Sequence, residues 1–162
     1  IIKLSRLDEE SFAPEKKSVD LYDLSRRVID RLTPEAEKKN VTVTLKGEHI
    51  TVSGVEQILD EMVYNLIDNA IKYNKESGSV TVETLSVGSD VRWSVKDTGI
   101  GIPRESQPRV CERFYRVDKS HSKDVGGTGL GLSIVKHGAI YHNARVELES
   151  EPGKGTEITV VF

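Results

Sequence analysis

Residues 55–73, Val55-Glu-Gln-Ile-Leu-Asp-Glu-Met-Val-Tyr-Asn65-Leu-Ile-Asp-Asn69-Ala-Ile-Lys72-Tyr73, are the stretch from which the rest of the chain can be read. Ile58, Leu59, Met62, Val63, Leu66, Ile67 and Ala70 recur at offsets of three and four, so one broad face of a helix is apolar and must be covered. At about 100° per residue, Glu61, Asn65, Asn69 and Lys72 share an arc of roughly 80° beside that face. Amide oxygens on such an arc can complete the shell of a hard cation such as magnesium, and a lysine one turn on can meet phosphate charge. Two asparagines and a lysine can equally line a solvated helix face.

On the N-terminal side, Leu21, Leu24, Val28, Ile29 and Leu32 recur at helical spacing behind Ser18 or Asp20 as cap, and Pro34 marks a point where the helix kinks or restarts. Residues 41–45 alternate as a strand. On the C-terminal side, residues 80–85 and 91–95 alternate at period two around Val-Gly-Ser-Asp and predict a hairpin, so the sheet is at least partly antiparallel. A helix from about Gly129 to Tyr141 and strands at 145–150 and 156–162 complete the pattern. The expected class is α+β, a two-layer sandwich with a mixed, mostly antiparallel sheet covered on one face by helices.

Chain length and charge narrow the partners. A chain of 162 residues makes one domain of ordinary size. A net charge of −3 with mixed signs offers no broad basic face, so nucleic acid is not expected as a partner. The single cysteine, Cys111, can build neither a disulfide framework nor a cysteine-rich zinc site, which fits a reducing, cytoplasmic setting. No apolar run approaches the roughly 20 residues that span a bilayer. Ile1-Ile-Lys-Leu-Ser-Arg-Leu reads like the tail of a helix begun upstream, and residues 8–17 mix charge with Pro14 as a connector does. The expected division is therefore 1–17 and 18–162.

Asp97 stands where the strand over 91–95 runs out, followed by Thr-Gly99-Ile-Gly101-Ile. A carboxylate there can accept a hydrogen bond from the exocyclic amine of adenine, and the glycines let the main chain pass close to a flat ring. Hydrogen bonds to charged groups contribute about 1.5–3 kcal/mol, enough to select adenine over a base with a carbonyl at that place. A strand-end aspartate in a glycine-rich turn is also a common structural device, and Asp-Thr-Gly occurs in aspartic proteases, which need a second such loop. Gly126-Gly-Thr-Gly129-Leu-Gly131-Leu precedes a helix and can present amide groups to an anion. It is neither a P-loop nor a dinucleotide fingerprint, and it can also be a flexible loop. Between the two glycine runs, residues 103–126 carry Arg104, Arg109, Arg113, Arg116, Lys119 and Lys123 around Phe114 and Tyr115. That composition suits a lid with an arginine fork for a terminal phosphate, or a solvated charge run.

In their joint order these motifs resemble the N, G1, F and G2 boxes of the catalytic ATP-binding domain of bacterial two-component sensor histidine kinases. The resemblance covers about residues 18–162, and Ser150-Glu-Pro-Gly-Lys-Gly-Thr156 is similar to the family's last glycine box. Leu4-Ser-Arg-Leu-Asp8 resembles the end of the second helix of the family's dimerization and phosphoacceptor domain. The resemblance implies the Bergerat fold with ATP and Mg2+ as cofactors. It implies that Asn69 binds the metal with Asn65 in support, that Lys72 and Tyr73 line the nucleotide, and that Asp97 holds the adenine amine. Gly99, Ile100, Gly101 and Ile102 would shape the base pocket, Tyr115 and Arg116 would act from the lid, and Gly127, Thr128, Gly129, Leu130, Gly131, Leu132 and Thr156 would complete the ATP-binding set. Asn65, Asn69, Lys72 and Arg116 would be the catalytic group.

The wider group includes water-hydrolysing ATPases, which resemble one another in a glutamate base where this chain has Asn65, so the resemblance implies a nucleophile other than water. A neutral imidazole already presents a lone pair and needs positioning and charge neutralisation more than proton removal, with Glu61 a weaker candidate to assist. His49, His121, His137 and His142 lack the acceptor-helix context, so the acceptor histidine is expected on the upstream dimerization domain, with a response regulator served indirectly. The full-length protein is expected to be a homodimer, membrane-associated, with this domain on the cytoplasmic side of the inner membrane. The alternative is a nucleotide-dependent regulatory module without phosphotransfer. A serine kinase acting on an anti-sigma antagonist shares the fold, and the lead-in at residues 1–8 argues against it. Val55, Cys111 and His142-Asn143 depart from the family's usual residues.

Overall fold

The computed structural model of the protein describes residues 15–102 and 130–162. Along them run Lys17–Asp20 (β1), Leu21–Lys38 (α1), Thr42–Gly47 (β2), Thr51–Gly54 (β3), Glu56–Lys72 (α2), Ser79–Val87 (β4), Asp90–Asp97 (β5), Leu130–Tyr141 (α3), Arg145–Glu151 (β6) and Gly155–Val161 (β7). The apolar stripe of α2 is covered as its spacing requires: Ile58, Leu59, Met62, Val63, Leu66, Ile67, Ala70 and Ile71 are all buried. It packs between α1 and α3 and against the inward side chains of β4 and β5.

Five strands form the main sheet in the order β2-β4-β5-β7-β6, and β1 pairs with β3 in a separate two-stranded ribbon. Every pairing in the main sheet is antiparallel except β2 with β4, which run parallel with Thr42 opposite Ser79. The expected class is therefore borne out, a mixed and mostly antiparallel sheet with helices against it. Alternation sorts the strands: Val80, Val82, Trp93, Val95, Ile158 and Val160 enter the core, while Glu83, Arg92 and Glu157 line the other side. The β4–β5 hairpin turns through Gly88 and Ser89, with Gly88 at φ +61 and Val87 opposite Asp90.

At α1 the sequence left two starts open, and the structure selects Asp20, whose Oδ1 accepts the Asp23 N–H at 2.9 Å. Ser18 belongs instead to β1, opposite Ser53 of β3, a ribbon too short for alternation to announce. Pro34 neither ends nor restarts the helix, which continues unbroken to Lys38. Leu32 and Ala36, buried on either side of it, hold the backbone in place and offset the roughly 3 kcal/mol that an interior proline costs. Beneath α1, the Trp93 Nε1–H donates to the Ser25 hydroxyl at 2.8 Å, which donates in turn to the Leu21 carbonyl at 2.7 Å. The polar atoms of this buried tryptophan and serine are thereby satisfied within the core.

Candidate functional site

Some of the residues singled out in sequence, Tyr73, Asp97 with its glycine loop, and Thr156, meet where α2 ends, β5 ends and the β6–β7 turn returns. Asp97 closes β5 with its carboxyl largely buried, and Oδ1 accepts both the Gly99 N–H at 2.8 Å and the Thr156 N–H at 3.2 Å. Burial pushes its pKa above the ordinary carboxylate value, and these two main-chain bonds pull the other way. Both fall on Oδ1, which leaves Oδ2 as the oxygen open to a ligand among the described residues. A carboxylate oxygen whose partner oxygen is already committed is suited to one directional donor, such as an exocyclic amine.

The loop after Asp97 is fitted against the end of α2. A Cβ at Gly99 would collide with the Tyr73 carbonyl oxygen, and the Ile100 N–H donates to that same oxygen at 3.2 Å. Gly101 takes φ +73, and a Cβ there would strike the Glu151 carbonyl. Two further bonds join this loop to the β6–β7 turn: Gly153 N–H to Ile100 O at 2.8 Å, and Ile102 N–H to Ser150 Oγ at 2.7 Å. Ser150 also contacts Thr156 Oγ1 at 2.8 Å. Tyr73, Asp97, Gly99, Ile100, Gly101, Ile102 and Thr156 are thus brought to one corner.

On the polar arc of α2, Asn65 Nδ2 donates back to the Glu61 carbonyl at 2.6 Å, which orients the amide and turns its oxygen away from that carbonyl. Asn69, one turn on, is half-buried. The Lys72 ammonium pairs with Asp68 Oδ2 at 2.9 Å, a neighbour on the same helix that the sequence reading did not weigh. Tyr115, Arg116, Gly127, Thr128 and Gly129 lie outside the described residues, as do the lid basics and Cys111. Leu130 and Gly131 open α3, and Leu132 packs partly buried on the core.

Two residues that matter here, Asn74 and Lys39, were missed in sequence, and His142, named there only as lacking the acceptor-helix context, takes a packing role. Asn74 is buried: its Nδ2 donates to Ser79 O at 3.0 Å, while Oδ1 accepts the Lys75 N–H at 2.9 Å and the Thr98 hydroxyl at 3.1 Å. Lys39 reaches the end of α2 from the end of α1. His142 accepts the Val55 N–H on Nε2 at 3.0 Å and donates from Nδ1 to Gly138 O at 2.8 Å, so the ring is neutral in one tautomer. Burial lowers its pKa, the Gly138 bond opposes that, and the Lys16 charge adds to it. Only for Asn74 was there a signal, the Asn-Lys-Glu-Ser-Gly run typical of a turn.

Residues 54–162 match the family model described as histidine kinase-, DNA gyrase B- and HSP90-like ATPase. The chain belongs to that ATPase family. The sensor-like histidine kinase SenX3 of Mycolicibacterium smegmatis is 37% identical over 161 residues, 99% of this chain and 42% of that protein. The solved mycobacterial sensor histidine kinase MprB is 25% identical with a TM-score of 0.78, over 91% of this chain and 96% of that one. The full-length ShkA structure in complex with AMPPNP is 27% identical with a TM-score of 0.82, over 99% of this chain and 33% of that one. The chain thus spans about two fifths of the length of SenX3. Within the ATPase family, this is the ATP-binding catalytic domain of the sensor-histidine-kinase kind. No helix among the described residues is long and apolar enough to cross a membrane.

Proposed function

We propose that this domain transfers the γ-phosphate of ATP to a histidine on a phosphoacceptor domain, as the catalytic half of a two-component sensor kinase. The observation that carries the reading is the Asp97 corner: a largely buried carboxylate with Oδ1 committed to Gly99 and Thr156 and Oδ2 open, beside a loop packed on Tyr73. Adenine offers its exocyclic amine as a donor to such an oxygen. Asn65 and Asn69 supply neutral oxygen donors on one arc, a set that fits Mg2+, which prefers oxygen and keeps several waters. Bound there, the ion would neutralise charge on the phosphates. Asn69 would hold it, Asn65, oriented by its bond to Glu61 O, would support it, and Lys72 would be released from Asp68 toward phosphate.

Arg116 is proposed as the terminal-phosphate contact from its place in the sequence between the two glycine runs. Asn65, standing where hydrolytic relatives carry glutamate, favours a nitrogen nucleophile over water. The acceptor histidine, the homodimer, the response regulator and a cytoplasmic place beneath a membrane-bound sensor belong to the whole protein and follow from the same reading. Transfer of label from γ-labelled ATP to a separately supplied acceptor domain tests it. Incorporation in the wild type, lost in Asn69→Ala, is the expected result. ATP binding with no incorporation would favour a regulatory module instead.

A further inference from the structure

Lys39 follows α1, and its Nζ lies 2.5 Å from Lys72 O, 2.8 Å from Asn74 O and 3.5 Å from Ile71 O. Ile71 O and Lys72 O belong to the last turn of α2 and Asn74 O to the segment just past it, a helix C-terminus where the macrodipole also favours a cation. They bracket the Tyr73 peptide on both sides. The Tyr73 carbonyl accepts the Ile100 N–H at 3.2 Å and forms the wall that Gly99 fits against. Asn74, whose carbonyl Lys39 holds, binds the Thr98 hydroxyl through its side chain, one residue after Asp97. From the ammonium to the Asp97 loop there is therefore a continuous path through one held main-chain segment.

We propose that Lys39 is a positioning residue for the base end of the nucleotide site: by gathering the Lys72 and Asn74 carbonyls it fixes the Tyr73 peptide, and through it the Gly99–Ile100 loop and the setting of Asp97. The proposal rests on the reading that Asp97 takes adenine. An ordinary helix cap would stabilise α2 without touching base selection, whereas this one lies directly behind the loop that carries the base contact. The main chain at Lys39 is tied to the segment after α2: Ser77 N–H donates to Lys39 O at 3.2 Å, and the neighbouring Asn40 Nδ2 donates to Glu76 Oε1 at 2.9 Å. Burial lowers the Lys39 pKa, and the Glu76 carboxylate opposes that shift.

Calorimetry with ADP, ATP and GDP on wild type, Lys39→Met and Lys39→Arg tests it, with circular dichroism to show that each variant is folded. Wild type binding ADP well and GDP poorly is required by the adenine reading, and its failure would overturn that reading and this proposal with it, whereas a failure confined to the variants would overturn this proposal alone. Given that preference, Lys39→Met should weaken ADP and ATP alike by about tenfold and narrow the preference for ADP over GDP. Lys39→Arg, which keeps a cation within reach of the carbonyls, should recover most of both. Folded Lys39→Met with unchanged ADP affinity and base preference overturns the proposal, and so does an equal loss for ADP and GDP. Should Lys39→Met not fold, nitrogen-detected NMR on the wild type decides. The Lys39 Nζ resonance should shift on ADP binding together with the Gly99 and Ile100 amides, and a Lys39 signal that stays in place while those move overturns it.

Discussion

At its first turn α2 is held by a neutral imidazole and surface ion pairs; at its last it is held by an ammonium, a buried amide and a loop packed against its final carbonyls. The first turn has no side-chain cap of its own, because Val55 stands at the N-cap position and its N–H is taken by His142, just past the end of α3. Glu56 pairs there with Lys17 at 3.4 Å and Arg27 at 3.5 Å, all three well exposed. At the last turn the partners are Lys39, Asn74 and Gly99, each in contact with backbone. A helix end that only has to stay docked tolerates water-exposed partners. One that sets the position of a ligand-binding loop is fixed through main-chain atoms, which have far fewer ways to move.

The contrast breaks most sharply at Gly99. Gly99→Ala drives a methyl into the Tyr73 carbonyl and should cost about 3 kcal/mol of stability, with nucleotide binding lost in whatever remains folded. Denaturant unfolding and calorimetry read the two effects separately, and an alanine variant that binds ATP normally would mean the loop is not fitted as described. Asp97→Asn should separate stability from binding. Because burial raises the folded pKa, ionised Asp97 opposes folding once pH exceeds its ordinary value, and increasingly so up to the raised one. Asparagine should therefore match or exceed wild-type stability at pH 7 while ATP affinity falls by about 2 kcal/mol, since a partner for the adenine amine is lost. A variant less stable at pH 7 than the wild type would contradict this.

His142 sharpens the comparison from the other end. His142→Ala leaves the Val55 N–H unpaired and should cost about 1–2 kcal/mol in chemical denaturation, with ADP affinity nearly unchanged in the folded protein. The folded pKa lies below the ordinary 6.5, so the unfolded chain takes up the proton first. The wild type should lose stability as pH falls from 6.5 through the folded value, and His142→Gln should flatten that part of the profile. The smallest effect belongs to Glu56→Gln, below about 0.5 kcal/mol in denaturant unfolding and smaller still in high salt.

What could be read in the sequence was what repeats. Residues 58–70 announce α2 because seven positions obey one period, and residues 80–85 with 91–95 announce a hairpin because alternation brackets the turn-forming Val-Gly-Ser-Asp. Asp97, Gly99 and Gly101 stood out because their order with the other motifs is rare. The β1–β3 ribbon was not legible, since four-residue strands repeat too few times. Nor was the parallel pairing of β2 with β4, because period fixes a strand's faces and not its neighbour. Lys39 lay beyond reach for another reason: it acts on main-chain carbonyls 33 and 35 positions away, where no side-chain pattern records the contact.

The chain contains one tryptophan, and its indole is enclosed beneath α1 with its N–H on Ser25. Its fluorescence is consequently a built-in gauge of whether the first helix is seated: blue-shifted while the serine is in place, red-shifted once water reaches the ring. Asp97 lies four residues further along the same strand, so nucleotide arriving there should leave the emission almost untouched. Melting and ligand loading can thus be followed in a single cuvette as separate signals, the first by light and the second by heat.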